Sequence, residues 1–276
     1  MWAVAEEAGF DHCWIFDHFA AIFDDPARDV FEGWMLLAAM AEATSRVRIG
    51  CMVTGNTYRH PAVLAKMAVT IDHLSGGRLE FGIGAAWAER EHGMLGLEFG
   101  TVGSRIARLD EACRILKLLW SDERSDFEGR YYRLSDAVAN PKPVQRPYPP
   151  IWIGGRGERK TLRVVAEHAD VWNAPGGDPD EVARLSAVLD GHCADVARDP
   201  QDVRRSVQFR FEDDADAVLR TAEAHLSRGI SELIVMIAPG RARANADAVA
   251  ALLPRLRELG PARRSSVGAP PRQGDG

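Results

Sequence analysis

The chain has 276 residues, 46% of them hydrophobic, enough to bury a large core and close to the roughly 250 residues of a single (β/α)₈ barrel. A formal charge of −6 with scattered arginines argues against a nucleic-acid-binding surface, and no apolar run approaches the ~20 residues of a membrane-spanning helix. The first residues lack a charged leader region, so a cytoplasmic protein acting on a small molecule, without nucleic-acid or membrane partners, is expected.

In chain order, residues 1–8 read as a helix closed by Gly9, and His12-Cys13-Trp14-Ile15-Phe16 as a short apolar strand. Helical spacing follows over 30–43 at Phe31, Met35, Ala38, Ala39 and Glu42. Residues 47–53 form the next strand and run into Thr54-Gly55-Asn56-Thr57-Tyr58-Arg59-His60-Pro61. A helix over 62–74 then stops at Ser75-Gly76-Gly77, and a third strand covers 78–84. This is a βαβ unit. A long amphipathic helix spans 104–120, and the proline-rich segment 141–150 delivers the chain to a strand at 151–153. Helices are then expected at 158–168, 179–198, 215–228 and 245–259, with strands at 171–172, 203–211 and 232–237. That rhythm predicts a parallel sheet covered by helices, one domain over 1–260, and a disordered Pro-, Gly- and Arg-rich tail over 261–276.

Ligands in such folds sit beyond the carboxyl ends of the strands, so strand ends carry the candidate chemistry. Phe16-Asp17-His18-Phe19 places a histidine at one of them, able to move a proton near neutral pH. The bland alternative is a loop-ordering Asp-His pair. Gly154-Gly155-Arg156-Gly157-Glu158-Arg159-Lys160 lies between a strand and a helix, where glycines admit a phosphate and helix N–H groups and cations attract it. His60-Pro61 reads as a helix start, so His60 is structural. Glu89, Arg90, Glu91 and His92 resemble a metal cluster but read better as the solvated face of a helix. Cys13, Cys51, Cys113 and Cys193 form no CxxC pair, and no metal site is expected.

Val53-Thr54 through Tyr58-Arg59-His60-Pro61, then Ser75-Gly76-Gly77-Arg78-Leu79 and Gly82-Ile83-Gly84, together resemble the luciferase-like monooxygenase superfamily, and within it the branch that uses the deazaflavin coenzyme F420. The resemblance implies a (β/α)₈ barrel. Only seven strands are counted here, so the first barrel strand is the one lacking, through a start upstream of Met1 or a truncated product. By resemblance His18 faces the reactive carbon of the coenzyme, and Asp17 orients the site. Met52, Val53 and Thr54 hold a non-proline cis peptide that bulges against the central ring; Asn56, Tyr58 and Arg59 hydrogen-bond the coenzyme; Gly84 and Trp87 approach it; and Gly154, Gly155 and Gly157 take its phosphate. Phe19, Trp87 and the loops near 130–133 and 172–177 would wall the substrate. The F420-dependent glucose-6-phosphate dehydrogenases carry a tryptophan four residues after the histidine, where this chain has Ile22, which argues against that substrate. Relatives commonly form homodimers. Two alternatives stay open: an FMN-dependent monooxygenase served by a separate flavin reductase, and a non-catalytic barrel remnant.

Overall fold

The structure is a computed structural model that describes residues 2–22, 25–211, 214–237 and 242–260; the segment expected to form a tail, 261–276, lies outside them. Helix α1 (Trp2–Ala8) leads into β1 (His12–Ile15). Helix α2 (Gly33–Ala43), β2 (Arg48–Cys51), β3 (Thr54–Gly55), α3 (Pro61–Leu74) and β4 (Leu79–Gly84) follow. Next come α4 (Glu89–Leu95), α5 (Val102–Ser121), the hairpin strands β5 (Ser125–Glu128) and β6 (Arg133–Ala137), and β7 (Ile151–Gly154). The chain continues through α6 (Thr161–His168), β8 (Val171–Ala174), α7 (Pro179–Asp195), β9 (Arg204–Arg210), α8 (Ala215–Leu226), β10 (Glu232–Met236) and α9 (Ala242–Leu259).

Seven strands form one curled parallel sheet in the order β1-β2-β4-β7-β8-β9-β10, with the two-residue β3 paired to β4. Sheet and covering helices make the α/β architecture of a (β/α)₈ barrel with seven strands among the described residues. The reason lies in composition: β4 and the Ile151-Trp152-Ile153 stretch of β7 are buried along their length, as strands covered on both faces must be. The main core fills the space between sheet and helices, with Leu37, Leu64, Ile83, Leu116, Ile153 and Leu189 fully or almost fully enclosed. A smaller interior cluster of Met52, Trp152, Val171 and Ile234 packs with Trp14 inside the curl.

The edges β1 and β10 are not hydrogen-bonded to each other among the described residues; His12 Nε2 lies 3.9 Å from Glu232 Oε2 across the seam. Behind it α1 packs on α9, and Arg257 donates to the Gly9 carbonyl at 2.5 Å. Among the described residues no helix is long and apolar enough to cross a membrane.

Two expectations need correction. The strand expected over 47–53 ends at Cys51, because the chain turns at Met52-Val53 before β3. The hairpin β5–β6 was not expected at all. It is held from outside: Glu111 of α5 accepts from the amides of Arg130, Tyr131 and Tyr132. Gly129 lets that anchor approach closely, since a Cβ would lie 2.4 Å from Glu111 Oε2 and displace the carboxylate.

Candidate active site at the carboxyl ends of the strands

The Met52–Val53 peptide is cis, at the position the resemblance implied. Met52 points into the interior cluster, while Val53 crosses the ends of two neighbouring strands. Glycines make that crossing feasible: a Cβ on Gly84 would stand 2.8 Å from Val53 Cγ2, and one on Gly154 3.3 Å. Thr54 is fully buried, and its hydroxyl accepts from Trp34 Nε1 at 2.9 Å. Asn56 is buried as well; its amide donates to the Arg105 carbonyl at 3.1 Å, and its Oδ1 has no partner among the described residues.

Asp17, 1% exposed, receives both Arg59 amino groups at 2.7 and 3.0 Å in a bidentate fork, and Arg59 also donates to Glu32. Glu32 in turn caps α2 through the Met35 amide at 2.6 Å. Burial works against the Arg59 charge, but the two carboxylates outweigh it and hold the guanidinium above its ordinary value. Arg59 is therefore a strut between β1 and α2. His60 behaves as the sequence suggested, its Nδ1 accepting from the Ala62 amide at the start of α3.

His18 follows Asp17, and its Nδ1 lies 2.9 Å from Glu91 Oε2. Tyr58 donates its hydroxyl proton to the same oxygen at 2.5 Å, while the amides of Phe19 and Ala20 converge on Oε1. Burial raises the pKa of Glu91, but hydrogen bonds from Tyr58, His18 and Phe19 overcome it and keep the carboxyl below its ordinary range. The Tyr58 hydroxyl moves the other way, pushed up by burial and by the carboxylate it serves. His92 is fully buried beside them: Nδ1 meets the Ala88 carbonyl at 2.8 Å, Nε2 meets Thr57 Oγ1 at 2.7 Å, and its ring stacks on Tyr58 with 4.9 Å between centroids. The expected solvated face at 89–92 is thus half wrong. Glu89 and Arg90 are exposed, whereas Glu91 and His92 are buried. The available signal was Ala88, Glu91 and His92 at i, i+3, i+4 in a helix whose apolar Met94 and Leu95 face solvent.

Trp87, 60% exposed, stands edge-on to His18 with 5.7 Å between ring centroids. Next to it a cleft of about 160 Å³ is lined by Ala20, Ala21, Ile22, Pro26, Trp87 and Met94, with Glu89, Arg90 and Glu91 at its α4 side. Trp172 does not line any such wall; it is fully buried and donates to the Gly155 carbonyl at 2.8 Å.

Past β7, Gly155 has φ +148°, a conformation that favours glycine, and its amide is taken by the Asn173 carbonyl at 3.2 Å. Gly157 packs on Thr161, where a Cβ would lie 2.6 Å from Oγ1. Arg156 approaches Glu181 at 3.8 Å, but Arg159 and Lys160 are exposed and have no ion-pair partner among the described residues. Elsewhere, Asp110, Glu167 and His168 bring three ligand atoms within 4.8 Å between α5 and α6. The histidine is engaged with Asp110 at 2.7 Å and the glutamate with Arg163 at 2.6 Å, an arrangement that holds without an ion.

The comparisons with known proteins agree with this architecture. The chain is 35% identical over 219 residues to the F420-dependent glucose-6-phosphate dehydrogenase of Kineococcus radiotolerans, covering 77% of this chain and 62% of the relative. It is 27% identical over 219 residues to the FMNH2-dependent dimethylsulfone monooxygenase of Pseudomonas putida, covering 74% and 59%. The chain therefore spans less than two thirds of the length of these relatives. Among solved structures, an F420-dependent secondary alcohol dehydrogenase in complex with an F420-acetone adduct superimposes with TM-score 0.83 at 20% identity over 92% of both chains, a likeness of fold. The family model for luciferase-like monooxygenases matches residues 1–268, and the chain belongs to that family.

Proposed function

We propose that this protein is an F420-dependent oxidoreductase that transfers a hydride between the deazaflavin ring and an organic substrate. The observation that carries the reading is His18, held by a buried carboxylate just past the end of β1. Similarity adds weight, since the F420-dependent relative is 35% identical and the FMNH2-dependent one 27%.

The residues present fit such a coenzyme. Met52, Val53 and Thr54 would carry the ring, with Asn56, Tyr58, Gly84 and Trp87 around it. The buried and unpartnered Asn56 Oδ1 is one acceptor left for a ligand. Gly154, Gly155 and Gly157 with Arg159 and Lys160 would meet the phosphate and the acidic tail, where these cations have no other partner among the described residues. The coenzyme, when bound, supplies the carbon that exchanges the hydride.

The chain's own part is positional and acid–base. Asp17 and Arg59 tie the loop after β1 to α2, so His18 is presented from a fixed backbone. His18 takes up the proton that leaves a substrate oxygen when hydride leaves the adjoining carbon, and returns it in the reverse direction. The cleft, apolar at Ala20, Ala21, Ile22, Pro26, Trp87 and Met94 and charged only on its α4 side, suits a substrate with a substantial apolar part.

Titration of the purified protein with F420 and with FMN tests the reading. Saturable F420 binding with weak or absent FMN binding is expected. Tight FMN binding without F420 binding would replace this function with the monooxygenase one, and binding of either without turnover of any alcohol or carbonyl compound would favour a non-catalytic barrel.

A further inference from the structure

We infer that Glu91 is the positioning residue of the site: it holds the His18 imidazole with its proton on Nδ1 and leaves Nε2 as the atom that exchanges protons with substrate. The inference deepens the proposed function and rests on it only for its kinetic consequence.

The argument is one of donors and acceptors. Glu91 is 2% exposed, and its ionised carboxylate can only accept hydrogen bonds. Four groups point at it: the amides of Phe19 and Ala20 at Oε1, and the Tyr58 hydroxyl and His18 Nδ1 at Oε2. Tyr58 has a single proton, and Oε2 receives it at 2.5 Å, so Tyr58 has none left for the imidazole 3.4 Å away. His18 Nδ1 must then be the donor at 2.9 Å, and in the neutral ring Nε2 keeps its lone pair. No hydrogen bond reaches Nε2 among the described residues. A carboxylate on Nδ1–H also stabilises the imidazolium that forms when Nε2 is protonated.

The neighbours of the ring leave Glu91 as its electrostatic control. Tyr58 faces it from the turn before α3, Trp87 from the loop before α4, and Phe16 from its own segment, with ring centroids 6.4, 5.7 and 6.4 Å away. Asp17, adjacent in sequence, is matched by the Arg59 fork. The helix makes the assignment specific, because Glu89 and Arg90 on the same turn are exposed and neither hydrogen-bonds the His18 ring among the described residues.

The test is ¹⁵N NMR of the histidine rings in the full-length protein without coenzyme, with the His18 signals identified by their loss in His18→Ala. In the wild type, with the ring neutral, the proton is expected on Nδ1. In Glu91→Gln the amide oxygen should stay on the Phe19 and Ala20 amides and turn the NH2 toward the ring. His18 Nδ1 then becomes an acceptor and the proton moves to Nε2. Arg90→Ala should leave the tautomer unchanged. A wild-type ring protonated on Nε2 overturns the inference whether or not the variant folds, as does an unchanged tautomer in Glu91→Gln. With F420 and a turned-over substrate, Glu91→Gln should lower kcat roughly 10²-fold at unchanged coenzyme Kd. Tautomer inversion in a protein that never turns over with F420 would sink the functional reading and leave the role of Glu91 standing.

Discussion

Two charged clusters occupy opposite ends of the same parallel sheet, and they treat their buried carboxylates differently. At the carboxyl end, Asp17 has both arms of Arg59, and Glu91 has four donors. At the amino end, Glu80 accepts from Arg48 and from Trp152 Nε1 at 2.5 Å. Glu232 there has Arg204 on Oε1 at 2.5 Å, but its Oε2 is buried without a hydrogen bond, with His12 3.9 Å off. The outcomes diverge accordingly: burial is overcome at Glu91, whereas at Glu232 burial prevails over Arg204 and, with Glu80 nearby, pushes the carboxyl up to about 7. At Glu91 the four donors outweigh burial, whereas at Asp17, despite the Arg59 fork, burial still outweighs its partners and raises the carboxyl, as it does at Glu232. The well-served carboxylates lie where chemistry is proposed, and the poorly served one lies on the edge strand β10, facing a neighbour with which it does not pair.

The sharpest way to break that contrast is at the end where proton exchange is proposed. His18→Ala removes the only imidazole held by Glu91 and should lower turnover with F420 by roughly 10²–10⁴-fold, with coenzyme affinity nearly unchanged. Steady-state kinetics beside a binding titration decide it. An equal loss in coenzyme affinity would assign His18 to loop structure instead.

A smaller effect is expected at Asp17. Asp17→Asn keeps the shape and one neutral acceptor but removes the charge that faces Arg59, whose side chain is 12% exposed and would keep Glu32 as its one paired carboxylate among the described residues. Breaking a buried pair costs about 3–5 kcal/mol when the survivor is stranded, so with Glu32 remaining roughly 2–3 kcal/mol is expected. Urea denaturation measures it. A loss below about 0.5 kcal/mol would mean that Arg59 rotates out to water and that the fork is no strut.

The contrast also explains what the sequence could and could not reveal. The strands were legible because enclosure on both faces demands apolar runs, as in Leu79–Gly84, whereas the glycines at their ends were read for a ligand and not for the Val53 side chain that packs on them. The hairpin was not, since Ser125–Glu128 is polar on alternate residues and its anchor, Glu111, sits on another element. Asp17 and His18 stood out by position, but their partners are 42 and 73 residues away along the chain. Glu91 carries the mark of a surface residue in composition and becomes a buried acceptor only when the loop after β1 folds over α4. No local period encodes that meeting.

The last test sharpens the comparison at the amino end, through pH. Glu232 titrates near 7 in the folded chain against an ordinary 4.5, because burial disfavours its charge. Between those values the unfolded chain has lost a proton that the folded chain still holds, so the Glu232 contribution makes stability fall as pH rises through the window and levels off above 7. The difference corresponds to roughly 3 kcal/mol at most. His12 works in the opposite sense: burial lowers its pKa, which favours folding as pH rises toward 6.5. Neither curve alone therefore isolates Glu232, but the difference between wild type and Glu232→Gln does. The amide can keep an oxygen on Arg204 while removing the ionisation. The variant should match the wild type near pH 4 and exceed it by roughly 1–3 kcal/mol at pH 8, read from denaturant midpoints across the range. If the two curves run parallel from pH 4 to 8, the seam already admits enough water to keep Glu232 ionised, and the two ends of the sheet differ less than their hydrogen bonds imply.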